Sequence, residues 1–195
     1  MFKQHMEKSL FMQDSWRSNH GYEAMLDFQM SWLMRLAAEK SFKQERLHKI
    51  SRQVLLRLIE EKGDRDVEVE RVEVWRQWNS IDVRAEVDLV VSRKKEKHVV
   101  IIEDKAYTMI HDNQLERYKE NVEEHYHNGE QIHYWVITFF NEEDNKNKYE
   151  ALKQDCYNAK WGLLSFYEVI GWEDGENFED TESDLFNEFW LREWY

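Results

Sequence analysis

Two apolar runs and the charges that follow the second of them constrain the fold of this chain most. Residues 88–91 (Asp-Leu-Val-Val) and 99–102 (Val-Val-Ile-Ile) flank the polar segment 92–98. This pattern predicts two antiparallel strands of a β-hairpin. The second run ends in Glu103-Asp104-Lys105, although charged groups are costly to bury unless they have partners. The charges therefore indicate a functional cluster at one end of a sheet.

The spacing of these charges predicts which of them share a face. Because side chains alternate along a strand, Glu103 and Lys105 lie on the same face. A turn over residues 92–98 would place Asp88 opposite Glu103 and Glu86 opposite Lys105. We therefore expect two or three carboxylates beside one ammonium group.

This set of groups predicts metal-assisted chemistry. Asp88 and Glu103 would supply oxygen ligands to Mg²⁺ or Mn²⁺, with the backbone carbonyl of Asp104 as a third ligand. A bound cation polarises a phosphate and helps to form hydroxide from water. Lys105 would orient that water or stabilise the developing negative charge. Hydrolysis of a phosphodiester uses all of these parts.

Length and composition favour a single domain that is soluble. The chain has 195 residues, of which 42% are hydrophobic and 34% charged, which is ordinary for a globular protein with a sizeable core. Its one cysteine, Cys156, excludes an intrachain disulfide and favours a cytoplasmic location. Because no apolar run approaches the length of a membrane span, we expect no membrane association.

The charge is unevenly distributed along the chain. A net charge of -13 argues against a protein that coats nucleic acid through its overall field. Residues 35–57 nevertheless carry seven Lys or Arg and two Glu, whereas residues 168–195 carry ten Asp or Glu and one Arg. Each segment is either a solvated face or a contact for a partner of opposite charge. In a nuclease, the basic segment would contact phosphates.

Hydrophobic periodicity predicts an alternation of helices and strands in one unit. A short apolar run on both faces places strand 99–102 in the centre of the sheet. The C-terminal helix would use Phe178, Leu185, Phe189 and Trp190 on its apolar face. In chain order, the predicted elements are helix 22–61, strands 67–78, 83–91 and 99–102, helix 112–128, strand 132–140, helix 148–160, strand 162–169 and helix 178–195.

The charged residues and this element order resemble the PD-(D/E)XK nuclease superfamily. Asp88 matches the acidic residue of the second core strand, and Glu103-Asp104-Lys105 matches the Glu-x-Lys that ends the third. Gln114 and Tyr118 resemble the Gln-x-x-x-Tyr signature of the following helix. The proline of the family pattern is absent, and Val87 precedes Asp88.

The resemblance implies a restriction-endonuclease-like α/β fold, a central mixed β-sheet flanked by helices in αβββαβ order. It covers about residues 20–140, so we expect residues 141–195 to form a C-terminal α/β extension of the same single domain.

The resemblance also implies roles for individual residues. Gln114 would take part in catalysis and, with Tyr118, hold a substrate phosphate. Many members carry another acidic residue on the first core helix, for which Glu23 is our choice, with Asp27 close behind. Glu86 is the alternative additional metal ligand.

The turn lysines Lys94, Lys95 and Lys97 are further phosphate contacts in this interpretation. The activity implied is an Mg²⁺- or Mn²⁺-dependent nuclease that acts on DNA, in defence or in a mobile element. Two alternatives stay open: a catalytically silent binding or regulatory protein with the same fold, or a subunit that needs a protein partner for targeting. A homodimer is also compatible with the sequence.

Other residues that could carry chemistry have simpler interpretations. His125, His127 and His133 lie close in sequence but are better explained as surface residues than as zinc ligands. Cys156 lacks a His or Asp arrangement nearby and is expected in the core. Three tryptophans are candidate residues of a groove that stacks bases: Trp75, Trp78 and Trp161.

Overall fold

A five-stranded mixed β-sheet forms the centre of the structure, a computed structural model that describes residues 19–60, 66–171 and 180–192. The strands lie in the order β1-β2-β3-β4-β5. The first three are antiparallel to one another, whereas β4 and β5 run parallel to β3. The strands are β1 (Val67–Trp78), β2 (Ile81–Val91), β3 (Lys94–Lys105), β4 (Gln131–Thr138) and β5 (Gly162–Ser165).

Six helices flank this sheet within the described residues. The predicted helix 22–61 is divided in two, because a turn follows Leu36, where Glu39 accepts hydrogen bonds from the backbone N–H and the hydroxyl of Ser41. Such local bonds compete with helical pairing. The helices are α1 (Asn19–Leu36), α2 (Glu45–Leu58), α3 (Gln114–His125), α4 (Lys146–Ala159), α5 (Phe166–Ile170) and α6 (Asp184–Trp190).

The two faces of the sheet support two separate cores. On one face, α1, α2, α5 and α6 pack against Val100 and Ile102 of β3. On the other face, α3 and α4 pack against Val99 and Ile101. Because side chains alternate along β3, Glu103 and Lys105 belong to the α3 face. Cys156 is buried in the α3–α4 core, as predicted.

The turn between β2 and β3 is shorter than the predicted segment 92–98. Only Ser92 and Arg93 form it, with φ of 49° and 71°, and positive φ at both central residues is typical of a tight hairpin turn. Lys94 already pairs with Val91. The prediction failed because residues 94–97 contain no apolar side chain, yet β2 offers them backbone partners along its whole length. Strand β3 is central, as predicted.

The C-terminal part differs from prediction in two places. Strand β5 ends at Ser165 instead of residue 169, because Ser165 and Glu168 form a reciprocal capping box that starts α5. In α6, Trp190 is fully buried, but Leu185 is exposed instead of facing the core; Phe178 lies outside the described residues. None of the helices in the described ranges is long and apolar enough to cross a membrane.

Gly162 has no room for a side chain, which generates a stability prediction. A Cβ at this position would lie 2.3 Å from ring carbons of Trp135, and that ring is held because its Nε1–H donates to the Leu58 carbonyl at 2.6 Å. We expect Gly162→Ala to lower the free energy of unfolding by about 1–3 kcal/mol, measured by urea denaturation. In a Trp135→Leu background, which lacks those ring carbons, the same substitution should cost less; an equal cost in both backgrounds would contradict the steric explanation.

Candidate active site

A buried ion pair lies at the end of the sheet where β3 finishes. Glu103 and Lys105 are only 2% and 7% exposed. The ammonium Nζ of Lys105 donates to Glu103 Oε1 at 2.6 Å. The last residues of β3 therefore carry the two charges on the α3 face, as their spacing predicts.

The register of β2 against β3 brings a different acidic residue to this pair than the one predicted. Val83 lies opposite Ile102, so Asp82 neighbours Glu103 across the strands. Asp88 lies opposite Lys97 and accepts a hydrogen bond from Arg71 Nε at 2.9 Å. The predicted pairing of Asp88 with Glu103 is wrong, because the two-residue turn shifts the register, and Asp88 lies about 20 Å from Asp82 along β2 at about 3.3 Å per residue.

Asp82 is the acidic residue that the sequence analysis missed. Its Oδ2 accepts the backbone N–H of Asp104 at 2.8 Å, and its Oδ1 accepts the side-chain amide of Gln77 at 3.0 Å. It lies within hydrogen-bonding reach of the Glu103 carboxyl. The signal that could have found it is strand length: a third strand starting at Val99 would leave half of β2 without a partner, whereas a strand of matched length places Asp82 at the site.

Helix α3 contributes the two residues of the Gln-x-x-x-Tyr pattern. Gln114 Nε2 donates to Glu103 Oε1 at 2.6 Å and to the hydroxyl oxygen of Tyr118 at 2.9 Å. Residues four apart on a helix are neighbours on its surface, so both face the end of β3. The structure thus places Gln114 and Tyr118 together beside Glu103.

Helix α1 brings both of its candidate acidic residues to the same end of the sheet. Glu23 Oε1 accepts the backbone N–H of Ala106 at 3.2 Å and the hydroxyl of Thr108 at 3.1 Å, and its negative charge acts on Lys105. Asp27 is buried against the carboxyl of Asp104, on the opposite side of β3 from Glu103. Glu23 is therefore the nearer of the two to the charged pair.

Several predicted site residues lie elsewhere. Glu86 accepts a hydrogen bond from Tyr126 at 2.7 Å and lies opposite Val99, not Lys105. Lys94 and Lys95 begin β3 at the far end of the sheet, about 30 Å from Glu103 along the strand. Lys95 forms an ion pair with Glu70 at 3.0 Å. Glu86 lies away from Glu103 because of the register, and the two lysines lie away from it because they occupy the opposite end of β3.

The basic segment 35–57 mainly ties elements of the fold together. Arg35 donates to the Val74 carbonyl, Arg52 to the Val67 carbonyl and Arg46 to the Asp180 carbonyl. Arg57 donates to the Glu168 carbonyl, and Lys40 pairs with Glu68. Most of these cations are therefore engaged within the fold on the α2 side of the sheet, whereas Glu103 and Lys105 lie on the α3 face. Their role as phosphate contacts stays a prediction.

Burial and mutual repulsion change the proton affinity of the carboxyl groups. Burial, together with the negative charge of Asp82, raises the pKa of Glu103 to about 8, against the opposing effect of the Lys105 ammonium group. Burial would lower the pKa of Lys105, but the charge and hydrogen bond of Glu103 raise it above its ordinary value. Burial also raises the pKa of Asp104 well above its usual range and that of Asp27 to about 6.

The donor set is compatible with a hard divalent cation. Glu103 Oε1 accepts two hydrogen bonds, whereas the buried Oε2 accepts none from any residue in the described ranges. The buried Oε2 of Glu103 and the carboxylate of Asp82 offer the oxygen ligands that Mg²⁺ and Mn²⁺ prefer. Among the described residues, no three His, Cys, Asp or Glu side chains are arranged to hold a metal. Two carboxylates suffice for Mg²⁺, which usually keeps several waters and binds substrate phosphate.

Comparison with known proteins gives one match. A family model described as the PD-(D/E)XK nuclease superfamily matches residues 24–187. No curated protein and no solved structure matches the chain with statistical significance. The match spans the sheet, α3 and most of the C-terminal part, so it confirms the predicted restriction-endonuclease-like α/β fold.

The raised pKa of Glu103 predicts a pH-dependent stability in metal-free protein. The unfolded chain releases this proton near the ordinary value of 4.5, whereas the folded chain holds it up to about 8. Between these values the unfolded state binds fewer protons, so stability falls as pH rises. We expect the free energy of unfolding, measured with urea and EDTA at pH 5 to 8, to fall by a few kcal/mol more in wild type than in Glu103→Gln. Parallel profiles would show that Glu103 is not the titrating group.

Proposed function

We propose that this chain, which belongs to the PD-(D/E)XK nuclease superfamily, hydrolyses phosphodiester bonds in nucleic acid with the help of a divalent metal ion. The observation that carries the proposal is the asymmetry of Glu103. Lys105 and Gln114 both donate to its Oε1, and the buried Oε2 is left beside Asp82. A cation at that position would offset the repulsion between the two carboxylates.

Each residue of the site has a distinct role in this proposal. Asp82 and Glu103 would hold Mg²⁺ or Mn²⁺, and the backbone carbonyl of Asp104 and the carboxylate of Glu23 are further ligand candidates. The cation, when bound, supplies a Lewis acid that lowers the pKa of water and polarises the phosphate. Lys105 places a positive charge where the attacked phosphate becomes more negative.

Gln114 and Tyr118 provide the polar edge of the site on α3. Gln114 holds Glu103 in one orientation, and its own Oε1 is buried with no donor among the described residues. That oxygen can accept a hydrogen bond from the attacking water. Water would then attack phosphorus and release a proton to solvent, a P–O bond would form as the bond to the departing oxygen breaks, and that oxygen would take up a proton from solvent.

DNA is the proposed substrate, following the resemblance of the sequence, and defence against foreign DNA or a mobile element is the proposed setting. A nuclease subunit that depends on a protein partner is the second candidate. The observation in its favour is that the net charge is -13 and the basic segment 35–57 is largely used within the fold. Such a surface offers little general attraction to a polyanion.

The register found in the structure makes a sharp test of the site possible. We expect Asp82→Asn, Glu103→Gln and Lys105→Met each to reduce cleavage by about 100-fold or more. The first two would remove a ligand charge of the cation, and the third would remove the positive charge beside the attacked phosphate. Asp88→Asn, the matched control, makes the same change on the same strand and should retain activity within about twofold, since Asp88 lies about 20 Å from Asp82.

The measurement is cleavage of supercoiled plasmid, linear duplex, single-stranded DNA and RNA, each with Mg²⁺, Mn²⁺ or EDTA. Loss of activity in Asp88→Asn with activity kept in Asp82→Asn would contradict the assignment of Asp82. Equal cleavage by wild type and all site variants would show that a contaminant is responsible. If wild type cleaves only after a co-purifying protein is added back, the partner-dependent candidate is favoured.

A further inference from the structure

Gln77, near the end of β1, links helix α1 to the candidate metal ligand Asp82. Its side-chain Nε2 donates to Asp27 Oδ2 at 3.2 Å and to Asp82 Oδ1 at 3.0 Å. The two acceptors come from elements far apart in sequence. A single amide therefore bridges a buried acid of α1 and the acid at the second position of β2.

The backbone of Gln77 is in an unfavourable conformation that the hairpin turn does not require. Its φ is 55°, in the left-handed region, which costs a residue with a side chain about 1–3 kcal/mol. Asn79 and Ser80 reverse the chain. The pairs Trp78–Ile81 and Arg76–Val83 lie on either side of Gln77 in the β1–β2 ladder, so Gln77 is within the paired strand and not in the turn. Such strain persists where surrounding contacts hold a residue in place, and it is concentrated at functional sites.

The Gln77 amide completes the set of donors that fixes Asp82. The backbone N–H of Asp104 holds Oδ2 at 2.8 Å, while Gln77 holds Oδ1. With one donor on each oxygen, the plane of the carboxylate is set, and each oxygen keeps a lone pair for another partner. Without Gln77, the carboxylate could rotate about its bond to Cβ and turn away from Glu103.

We propose that Gln77 is a positioning residue, whose amide holds the carboxylate of Asp82 in the orientation that presents it, together with Glu103, to a divalent cation. Asp27 anchors the amide from α1. The inference rests on the proposed function, because it assigns a role to Gln77 through the metal site. Partners of metal ligands typically change metal affinity by about 10–100-fold when they are removed.

The left-handed backbone at Gln77 allows a test that separates positioning from folding. Gln77→Gly removes the amide while placing at φ 55° the residue that adopts this conformation most readily. Because Gln77 is exposed, little core packing is lost. We expect the variant to unfold at the same or a higher urea concentration than wild type and to bind Mn²⁺ about tenfold more weakly, measured by calorimetry and by electron paramagnetic resonance at pH 8.

Three further variants make the experiment decisive. Ser80→Gly relieves the same kind of strain in the same hairpin, at φ 67°, and should leave Mn²⁺ affinity unchanged. Gln77→Met keeps the length and the strain of the side chain but not the donor, so it should weaken Mn²⁺ binding as Gln77→Gly does. Asp82→Asn should abolish the binding that both Gln77 variants weaken.

The outcomes distinguish this inference from the proposed function. If Asp82→Asn loses Mn²⁺ while both Gln77 variants bind it as wild type does, Gln77 does not position the ligand and the inference is overturned. If wild type binds no Mn²⁺, or Asp82→Asn binds it unchanged, the proposed metal site is overturned and the inference falls with it. Weaker binding in both Gln77 variants, with Ser80→Gly unaffected, supports it.

Discussion

The antiparallel pairing of β2 with β3 determines which acidic residue of β2 lies beside Glu103. Its two-residue turn at Ser92 and Arg93 places Asp82 beside Glu103 and leaves Asp88 with Lys97. A register displaced by an even number of residues keeps every side chain on its own face. The acidic residues of β2 would then still share a face with Glu103, but a different one would be its neighbour. The turn therefore decides which carboxylate serves the site, while the alternation of apolar residues decides only the face.

Four carboxyl groups lie at this end of the sheet, Asp82 and Glu103 on one side of β3 and Asp27 and Asp104 on the other. Carboxylates placed so close together are unfavourable unless donors or cations compensate. The donors are specific: Lys105 and Gln114 for Glu103, and the Asp104 N–H with the Gln77 amide for Asp82. Asp27 receives one donor, the Gln77 amide, whereas the Asp104 carboxyl receives none from the described residues, and burial raises the pKa of both acids. The strain at Gln77 belongs to the same pattern. The buried carboxyl groups and the Gln77 backbone destabilise this end of the sheet, and burial of apolar side chains in the two cores compensates.

Features of the fold and the site that depend on local sequence patterns could be predicted, whereas features that depend on the pairing of distant strands could not. Strand β1 was predicted with its observed bounds, residues 67–78, because its apolar side chains alternate. Gln114 and Tyr118 were placed correctly because helical spacing is local. The register of β2 against β3 could not be predicted in this way. Residues 94–97 look like a loop in the sequence, and they join β3 only because β2 offers them backbone partners. Asp82 follows a turn, where acidic residues are common, and only a pairing across the sheet distinguishes it from a surface residue.

The division of charge along the chain has a physical consequence for a substrate that is itself an anion. The basic residues of segment 35–57 mostly donate to backbone carbonyls on the α2 side, so they stabilise the fold more than they create a field. The acids at the end of β3, in contrast, concentrate negative charge where the scissile phosphate would have to lie. A phosphate can approach Asp82 and Glu103 only if that charge is neutralised first, by Lys105 and by cations bound at the carboxylates. In the proposed site, electrostatics alone would therefore couple metal binding to substrate binding.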